Sequence, residues 1–414
     1  MKTKIPTRAI AITLIGAIGL LSLGYATLQG VSPETGLHQF DFASSNHSLH
    51  RINQNISDVA WSLNPPNSSK LMAAKPDAIL TPEEAYMPDS SSNDDYHCFL
   101  LDPKLTTDTF VTATNVKPDQ KSIVHHVILF KIGPDAAPEA RARNQESGGK
   151  GWTCFGGSNI GDIRTTANSW LAAWAPGASP QSMPEGIGAL LPKGSVIVMQ
   201  VHYNLSAGVK PDRSSAELSY APEGTQLTPM QTVLGYAPVE IPCPEGLNTP
   251  QCSRENALAD NINRYGRKMA FLPQGLLTIC NKKLEDYQKA VGDASNVQTS
   301  CDRTVKKPAT LYAVAAHMHL RGQDIKLELN PGTGRAKTLL HIPKWDFHWQ
   351  GNYWFKTPLE IQAGDVLRLS CTYDNSVAGQ PIINGQKPEP RYITWAEGTT
   401  DEMCLSILTA APKQ

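Results

Sequence analysis

The feature that most constrains the fold is a series of short runs rich in Val, Ile and Thr. Glycine and proline occur 31 times each and separate these runs. Their length and β-branched content favour strands over helices, and several short strands with intervening turn signals are typical of sandwiches or barrels. We therefore predict an all-β fold. The clearest runs cover residues 110–116, 122–132, 195–205, 310–320, 325–329 and 366–373.

The 414-residue chain is long enough for two or three domains. Residues 29–95 are polar and contain proline and serine clusters, which indicate a linker or loosely ordered arm. We predict a first β domain over 96–228 and a second over 229–414. Within the second, residues 243–301 combine helix-favouring residues with charges three or four apart, so we expect a partly helical insertion tied by disulfides.

The first 28 residues have the pattern of a targeting segment. Lys2, Lys4 and Arg8 precede an uncharged, mostly apolar stretch, and Gly24 and Ala26 are small residues of the kind that a signal peptidase accepts. The alternative is an uncleaved membrane anchor, since the apolar stretch approaches the length of a bilayer span. In either case we expect an exported protein, periplasmic or secreted, whose only membrane contact is this segment.

The eight cysteines are even in number, and none forms a C-x-x-C pair. In an oxidising compartment this pattern predicts up to four disulfides rather than a zinc site, and free buried thiols are the alternative. We expect the cysteines of the insertion to pair among themselves. The eight are Cys98, Cys154, Cys243, Cys252, Cys280, Cys301, Cys371 and Cys404.

Two histidine pairs and a third histidine lie in the strand-like runs. His317 and His319 are two residues apart, so a strand places both rings on one face, close enough to share a metal ion. His125 and His126 are adjacent, and adjacent strand residues point to opposite faces. They can share an ion only near a twist or strand end, and we expect one ring to use Nδ1 and the other Nε2. His202 can supply a third imidazole if its strand lies beside theirs.

The types of donor atom point towards copper. Imidazole suits copper and zinc alike, whereas a thioether such as that of Met403 favours Cu(I). A site with three histidines and a site with two histidines and a methionine therefore suggest different redox tasks. Taken alone, Met403 is more often a core residue and Gln200 a hydrogen-bonded core amide.

The order and context of these motifs resemble the copper type II ascorbate-dependent monooxygenases over roughly residues 96–412. The matching segments are His125-His126, Gln200-Val201-His202-Tyr203, His317-Met318-His319 and Glu402-Met403-Cys404, and the stretches 345–350 and 371–375 also resemble family strands. The resemblance implies that His125, His126 and His202 hold an electron-storing copper. It likewise implies that His317, His319 and Met403 hold an oxygen-activating copper, with Gln200 and Tyr203 as supporting residues.

The same resemblance carries expectations about fold and activity. It implies two jelly-roll β-sandwiches that face each other across a solvent-filled cleft, and a disulfide between Cys371 and Cys404 beside the methionine ligand. It implies two copper ions as cofactors, and hydroxylation of a substrate C–H bond with dioxygen and an ascorbate-like reductant. With a net charge of −1, the chain is not expected to bind nucleic acid.

The chain also departs from the family pattern. Peptide-hydroxylating members carry an arginine two residues before the His-x-His motif and polar residues after the methionine, which grip the substrate carboxylate. Here those positions hold Ala315, Leu405 and Ile407. We therefore expect a small-molecule substrate that is not a peptidylglycine. The insertion is longer than expected, and could cover the cleft or bind a partner.

Two other functions remain open at this point. The first is an exported copper carrier or sensor that uses the same ligands without turnover. The second is a structural adhesion-type sandwich in which the histidines are incidental. Copper stoichiometry together with ascorbate-dependent oxygen consumption distinguishes the three.

Overall fold

The structure of the chain is a computed structural model. The structure describes residues 58–62, 75–90, 94–154, 157–161, 170–174, 180–205, 208–287, 292–347, 350–383, 386–396, 398 and 400–413. The predicted targeting segment, residues 1–28, lies outside the described residues.

The described part of the chain is built mainly from strands, which confirms the all-β prediction. In its first half these are β1 (Trp61–Ser62), β2 (Ala78–Leu80), β3 (Asp94–Leu101), β4 (Thr109–Lys117), β5 (Val124–Ile132), β6 (Trp152–Thr153), β7 (Trp170–Trp174), β8 (Gln181–Ser182), β9 (Ile187–Leu191), β10 (Val196–Asn204), β11 (Ser215–Tyr220) and β12 (Thr228–Pro229). In its second half they are β13 (Gln231–Tyr236), β14 (Glu240–Ile241), β15 (Val297–Thr304), β16 (Ala309–His317), β17 (Gly322–Leu329), β18 (Lys337–Ile342), β19 (Asn352–Ile361), β20 (Val366–Tyr373), β21 (Ile393–Thr394) and β22 (Leu405–Pro412). The helices are α1 (Ala137–Glu146), α2 (Arg254–Tyr265) and α3 (Leu272–Ile279), with 3-10 turns at Pro250–Cys252, Arg267–Ala270 and Leu284–Asp286.

Two sheets form the first half. One has the order β6-β3-β10-β5-β7 and the other β12-β9-β4-β11-β2, with β8 also paired to β4. Apolar residues from both sheets form one core, including Val111, Leu129, Met199 and Leu218. Strand β5 is buried on its other face as well, where Ile128 belongs to a second cluster that contacts helix α1. This explains why residues 124–132 read as a nearly continuous apolar run.

Two further sheets form the second half. Their orders are β1-β19-β16-β22-β13 and β15-β20-β17-β18, and a small separate sheet pairs β14 with β21. The core between the two large sheets includes Leu327, Phe355, Leu369 and Leu408. Each half of the chain therefore packs a pair of sheets around its own apolar core.

The described parts of the polar segment 29–95 contribute edge strands to both halves. Strand β1 pairs with β19 of the second half, and β2 pairs with β11 of the first half. Trp61 packs edge-on against Tyr353, with 4.7 Å between ring centroids. At these two stretches the chain is strand rather than loosely ordered, because an open sheet edge offers backbone hydrogen bonds whatever the side-chain pattern.

All eight cysteines are paired. The bridge between Cys371 and Cys404 expected from the resemblance is present, and the cysteines of the insertion pair among themselves as predicted. The four disulfides are Cys98–Cys154, Cys243–Cys252, Cys280–Cys301 and Cys371–Cys404. This number of disulfides is typical of proteins that fold in an oxidising compartment. Among the described residues, no helix has the length and apolar character needed to cross a membrane.

Candidate metal centres

A β-bulge brings the adjacent histidines to the same place. Strand β10 lies between β3 and β5, and His202 is directly opposite His126. The next residue, Tyr203, pairs with Val124, so the register skips His125. An extra residue in one strand bends it and re-aims the neighbouring side chain. The bulge therefore allows the adjacent rings of His125 and His126 to approach the same ion, which a regular strand would not allow.

The three rings lie close together, with short contacts between Nδ1 atoms. The Nδ1 atom of His202 lies 3.1 Å from Nδ1 of His125 and 3.3 Å from Nδ1 of His126. One ligand atom from each ring can be chosen so that all three lie within 4.8 Å of one another. Nε2 of His126 is also buried without a hydrogen-bond partner, so the use of Nδ1 by one of the adjacent histidines and Nε2 by the other stays a prediction.

Burial favours the uncharged form of His125 and His126. Burial and the neighbouring His202 lower the pKa of His125 to about 2. Burial, with His202, His125 and His317 as further causes, lowers the pKa of His126 well below its usual value. Neutral imidazole is the form that binds metals. Two uncharged rings that lie close to a third imidazole fit a bound cation, so the residues present suit a metal ion.

Three residues lie around this first site: Gln200 and Tyr203, which the resemblance pointed to, and Tyr96, which it did not. Tyr96 stacks on His202 with 4.1 Å between ring centroids and an interplanar angle of 7°. Gln200 donates hydrogen bonds to the backbone carbonyls of Cys154 and Gly157. The Tyr203 hydroxyl donates to the Asp212 carboxylate at 3.0 Å. Gln200 and Tyr203 thus support the frame around the site, while Tyr96 contacts a ring.

The second histidine pair lies at a strand end. His317 is the last residue of β16, and His319 follows just beyond it. Both are fully buried, with ring centroids 4.9 Å apart. Burial, with the charge of His319 as a smaller cause, lowers the pKa of His317 to about 3. Burial also lowers the pKa of His319 to about 4.

Hydrogen bonds fix the orientation of both rings. Nδ1 of His317 donates to Oε1 of Gln350 at 2.6 Å, and Nδ1 of His319 donates to the Asp401 carbonyl at 3.1 Å. With Nδ1 engaged, Nε2 is the nitrogen left to act as a ligand, and a partner of this kind is typical of metal-binding histidines. Nε2 of His317 is buried and has no hydrogen-bond partner. A buried ring nitrogen without a hydrogen-bond partner is what a metal-binding histidine would present, so the residues fit a metal ion.

The loop that carries Met403 docks beside His319. The Glu402 carboxylate accepts hydrogen bonds from the backbone N–H groups of His319 at 2.9 Å and Arg321 at 2.6 Å. Met403 is fully buried, and its carbonyl accepts a hydrogen bond from Tyr373. The next residue is disulfide-bonded Cys404, so the loop is fixed on both sides of the methionine.

An ion-pair network holds Asp401, which precedes these residues in the loop. Arg264 of helix α2 binds both carboxylate oxygens at 2.7 and 2.8 Å, and Arg391 and the Tyr265 hydroxyl bind the same carboxylate. Burial raises the pKa of Asp401, but the two arginines outweigh it and leave the pKa at about 2. Since the Asp401 carbonyl orients His319, the insertion is connected to the second site through one residue.

The positions that depart from the family pattern lie on the strands beside the second site. Ala315 on β16 is opposite Ile407 on β22, and His317 is opposite Leu405. No positive charge stands where peptide-hydroxylating members have one.

Four residues of these two sites have contacts that the sequence did not reveal: Tyr96, Arg264, Gln350 and Asp401. Gln350 ends a stretch that resembles a family strand, which was the only available signal. The other three are ordinary residue types without a distinguishing spacing.

Comparisons with known proteins agree with the motifs. Residues 80–210 match the family model of the copper type II ascorbate-dependent monooxygenase N-terminal domain, and residues 283–410 match that of the C-terminal domain. The protein called DBH-like monooxygenase protein 1 is 22% identical in Gallus gallus and 21% identical in Homo sapiens, over 391 residues in each case. These alignments cover 91% of this chain but 53% of each relative, so the chain spans about half their length.

Solved structures contribute nothing further. The coconut allergen cocosin is 11% identical with a TM-score of 0.13, covering 81% of this chain and 85% of its own. An oxalate decarboxylase from Bacillus subtilis is 8% identical with a TM-score of 0.16, covering 82% and 78%. Such scores do not support a shared fold.

The two family models, in the same order as the two pairs of sheets, together cover more than half of the chain. Copper and the electron donor ascorbate are the cofactors by which this family is defined, in agreement with the two copper ions and ascorbate that the sequence predicted. The chain belongs to the copper type II ascorbate-dependent monooxygenases.

Proposed function

We propose that this chain hydroxylates a C–H bond of a small molecule with dioxygen, using ascorbate or a similar donor as reductant. His125, His126 and His202 bind one copper ion, and His317, His319 and Met403 bind the other. The observation that carries the proposal is the convergence of three buried imidazoles, with Nδ1 atoms 3.1 and 3.3 Å apart.

The protein residues have separate tasks in this proposal. Bound copper supplies dioxygen activation and the one-electron transfers that convert C–H to C–OH. Gln350 and the Asp401 carbonyl fix the rings of His317 and His319, so that each presents Nε2. Burial keeps these rings uncharged and therefore available as ligands. We assign electron storage to the three-histidine site and oxygen activation to the site with the thioether, which favours Cu(I).

The architecture and location complete the proposal. We place a domain boundary near residue 229, with one jelly-roll sandwich on each side and a solvent-filled cleft between them. The paired sheets on either side of this point support the boundary. An exported location, periplasmic or secreted, is supported by the four disulfides. Residues 1–28 then act as a signal peptide or an anchor.

Copper stoichiometry tests the two-site assignment. Purified protein reconstituted with copper should bind about two ions per chain, and His125→Ala and His317→Ala should each reduce this to about one. Elemental analysis after desalting gives the ratio. A single copper that survives His125→Ala would contradict the assignment.

Oxygen consumption separates an enzyme from a copper carrier. The copper-loaded protein, supplied with ascorbate and a panel of small molecules, should incorporate one atom from isotopically labelled dioxygen into a product. The His317→Ala variant serves as the control for oxygen reduced by loosely bound copper. Full copper loading without labelled product across the panel would favour the carrier.

A further inference from the structure

A cavity of about 190 Å³ lies where the sheets that carry the two histidine sites approach each other. His126 lines it on one side, and Gln350, which binds His317, lines it on the other. Strands β5 and β7 form one wall, and β16, β19 and β22 form the opposite wall. The cavity therefore lies between a histidine of the first site and the residue that orients His317 of the second.

The described walls of this cavity carry no Asp, Glu, Lys or Arg side chain. Ala315 and Ile407, which are opposite each other in the strand ladder, both line it. An ammonium or carboxylate group buried here would lose its water without gaining a charged side chain as partner, which is strongly unfavourable. The cavity thus selects against charged ligands.

The apolar part of the lining is rich in large side chains. Its principal members are Met183, Met230, Ile407 and the three tryptophans Trp170, Trp174 and Trp354. Indole rings offer broad apolar faces that stack on other rings. For scale, an engineered apolar cavity of about 150 Å³ holds benzene. The cavity therefore has room for a molecule of about one ring.

Three polar atoms of the lining residues lack partners, and one of them, Nε2 of His126, belongs to the candidate copper site. Nε1 of Trp170 and Oγ of Ser182 are both buried without a hydrogen bond, and both residues line the cavity. Buried polar groups are normally hydrogen-bonded, so each such exception needs an explanation. An indole N–H can only donate, and a ligand with an acceptor oxygen would satisfy it.

We propose that the substrate of the function put forward above is an uncharged, apolar molecule of about one ring with one hydrogen-bond acceptor, and that it binds in this cavity. The inference rests on that proposed function and adds the chemical class of the substrate. It excludes phenylethylamine-like cations as well as peptide carboxylates.

Binding to the copper-free protein tests the inference without requiring turnover. The probes are benzyl alcohol, benzylamine, which is protonated at neutral pH, and benzoate, which share a ring and differ in charge. Calorimetry or quenching of tryptophan fluorescence should show benzyl alcohol binding at least tenfold more tightly than either ion. Equal or tighter binding of an ion would overturn the inference.

Two variants test whether the preference for an uncharged ligand arises from this cavity. Ala315→Arg should weaken benzyl alcohol binding and favour benzoate, while Val377→Arg, at an exposed position, should change neither. Trp170→Phe keeps an aromatic ring but removes the N–H, so it should weaken benzyl alcohol binding while leaving that of toluene nearly unchanged. Retention of the wild-type preferences in both Ala315→Arg and Trp170→Phe would overturn the assignment.

The outcomes also separate this inference from the proposed function. If a labelled product forms but the neutral probe has no advantage, the inference fails and the function stands. If the neutral preference is present but no ligand that binds the cavity is ever oxidised by the copper-loaded protein, the function fails and the cavity is a binding site only.

Discussion

The two candidate copper sites are built in different ways. The three-histidine site lies on two neighbouring strands, where the backbone ladder between β5 and β10 and a bulge at His125 set the ring positions. The other site combines a strand end, His317, with His319 and with a loop more than eighty residues further along the chain. That loop is held by side chains and a disulfide rather than by a ladder.

This difference indicates how each site depends on the rest of the molecule. Strand pairing is distributed over many backbone hydrogen bonds, so single side-chain changes outside the first site should have small effects on it. The second site depends on a few specific contacts, including Arg264 with Asp401 and Glu402 with the backbone of His319. A thioether is the weakest donor of the six, so this site has most to lose from small displacements.

The largest effect should come from Met403. Met403→Leu is nearly matched in volume, so it should cost less than about 1.5 kcal/mol of stability. It should nevertheless remove most hydroxylation, because the ligand that favours Cu(I) is lost. Met403→His should keep copper bound, since imidazole is a competent ligand, and should also lose most activity. Product formation and copper content are measured in each variant.

His202→Ala provides the counterpart at the three-histidine site. It should remove the copper bound there and interrupt electron supply, while copper at the other site remains. Full activity in Met403→Leu would mean that Met403 only fills space beside Cys404.

The next largest effect, a loss of copper affinity, is expected from a substitution in the insertion. Arg264→Met removes the main cation that binds Asp401, and changes in residues that orient ligands typically weaken metal binding about tenfold to a hundredfold. Copper affinity should fall in this range at the second site and stay unchanged at the first. Competition with a Cu(I) chelator, in variants that keep one site through His125→Ala or His317→Ala, measures each affinity separately.

Arg254→Met is the matched control for Arg264→Met. Arg254 lies on the same helix and forms an ion pair with buried Glu240, which contacts Tyr392 rather than a histidine. If both variants weaken the second site equally, Arg264 acts through general docking of the helix. If neither does, the connection through Asp401 has no influence on copper.

A smaller effect is expected at Gln350. Gln350→Leu removes the acceptor for Nδ1 of His317 and frees the ring to rotate, so copper affinity at the second site should fall about tenfold. Gln350→Glu keeps an acceptor oxygen and should largely restore the affinity. The Cu(I) competition assay measures both variants, and equal loss in both would contradict an orienting role for the hydrogen bond.

The smallest effect should be at Tyr96, which stacks on His202. Because the ladder already positions His202, Tyr96→Leu should weaken copper binding at the first site only a few-fold, below the range expected for ligand-orienting hydrogen bonds. Tyr96→Phe keeps the stacked ring and should behave as wild type in the same assay. Tyr96→Leu should weaken copper binding at the first site less than Arg264→Met weakens it at the second. Equal losses would contradict the distinction between a site positioned by strand pairing and a site positioned by side-chain contacts.

The sequence by itself determined the kind of protein. Strand-length runs predicted the all-β fold, and the order of the histidine and methionine motifs predicted the family. An even set of cysteines predicted disulfides. These inferences succeed because strand periodicity, donor chemistry and cysteine pairing are local or compositional properties.

Tertiary structure decided the geometry of the sites. The period of two places His125 and His126 on opposite faces, and only the ladder with β10 reveals the bulge that reunites them. Strands β1 and β2 were not visible in a polar segment, because edge pairing uses the backbone. Arg264 and Asp401 are 137 residues apart in the chain, and neither has a spacing that predicts their contact. The cavity is formed by two separate pairs of sheets, so its shape and the absence of charged side chains from its described walls arise only once those faces come together.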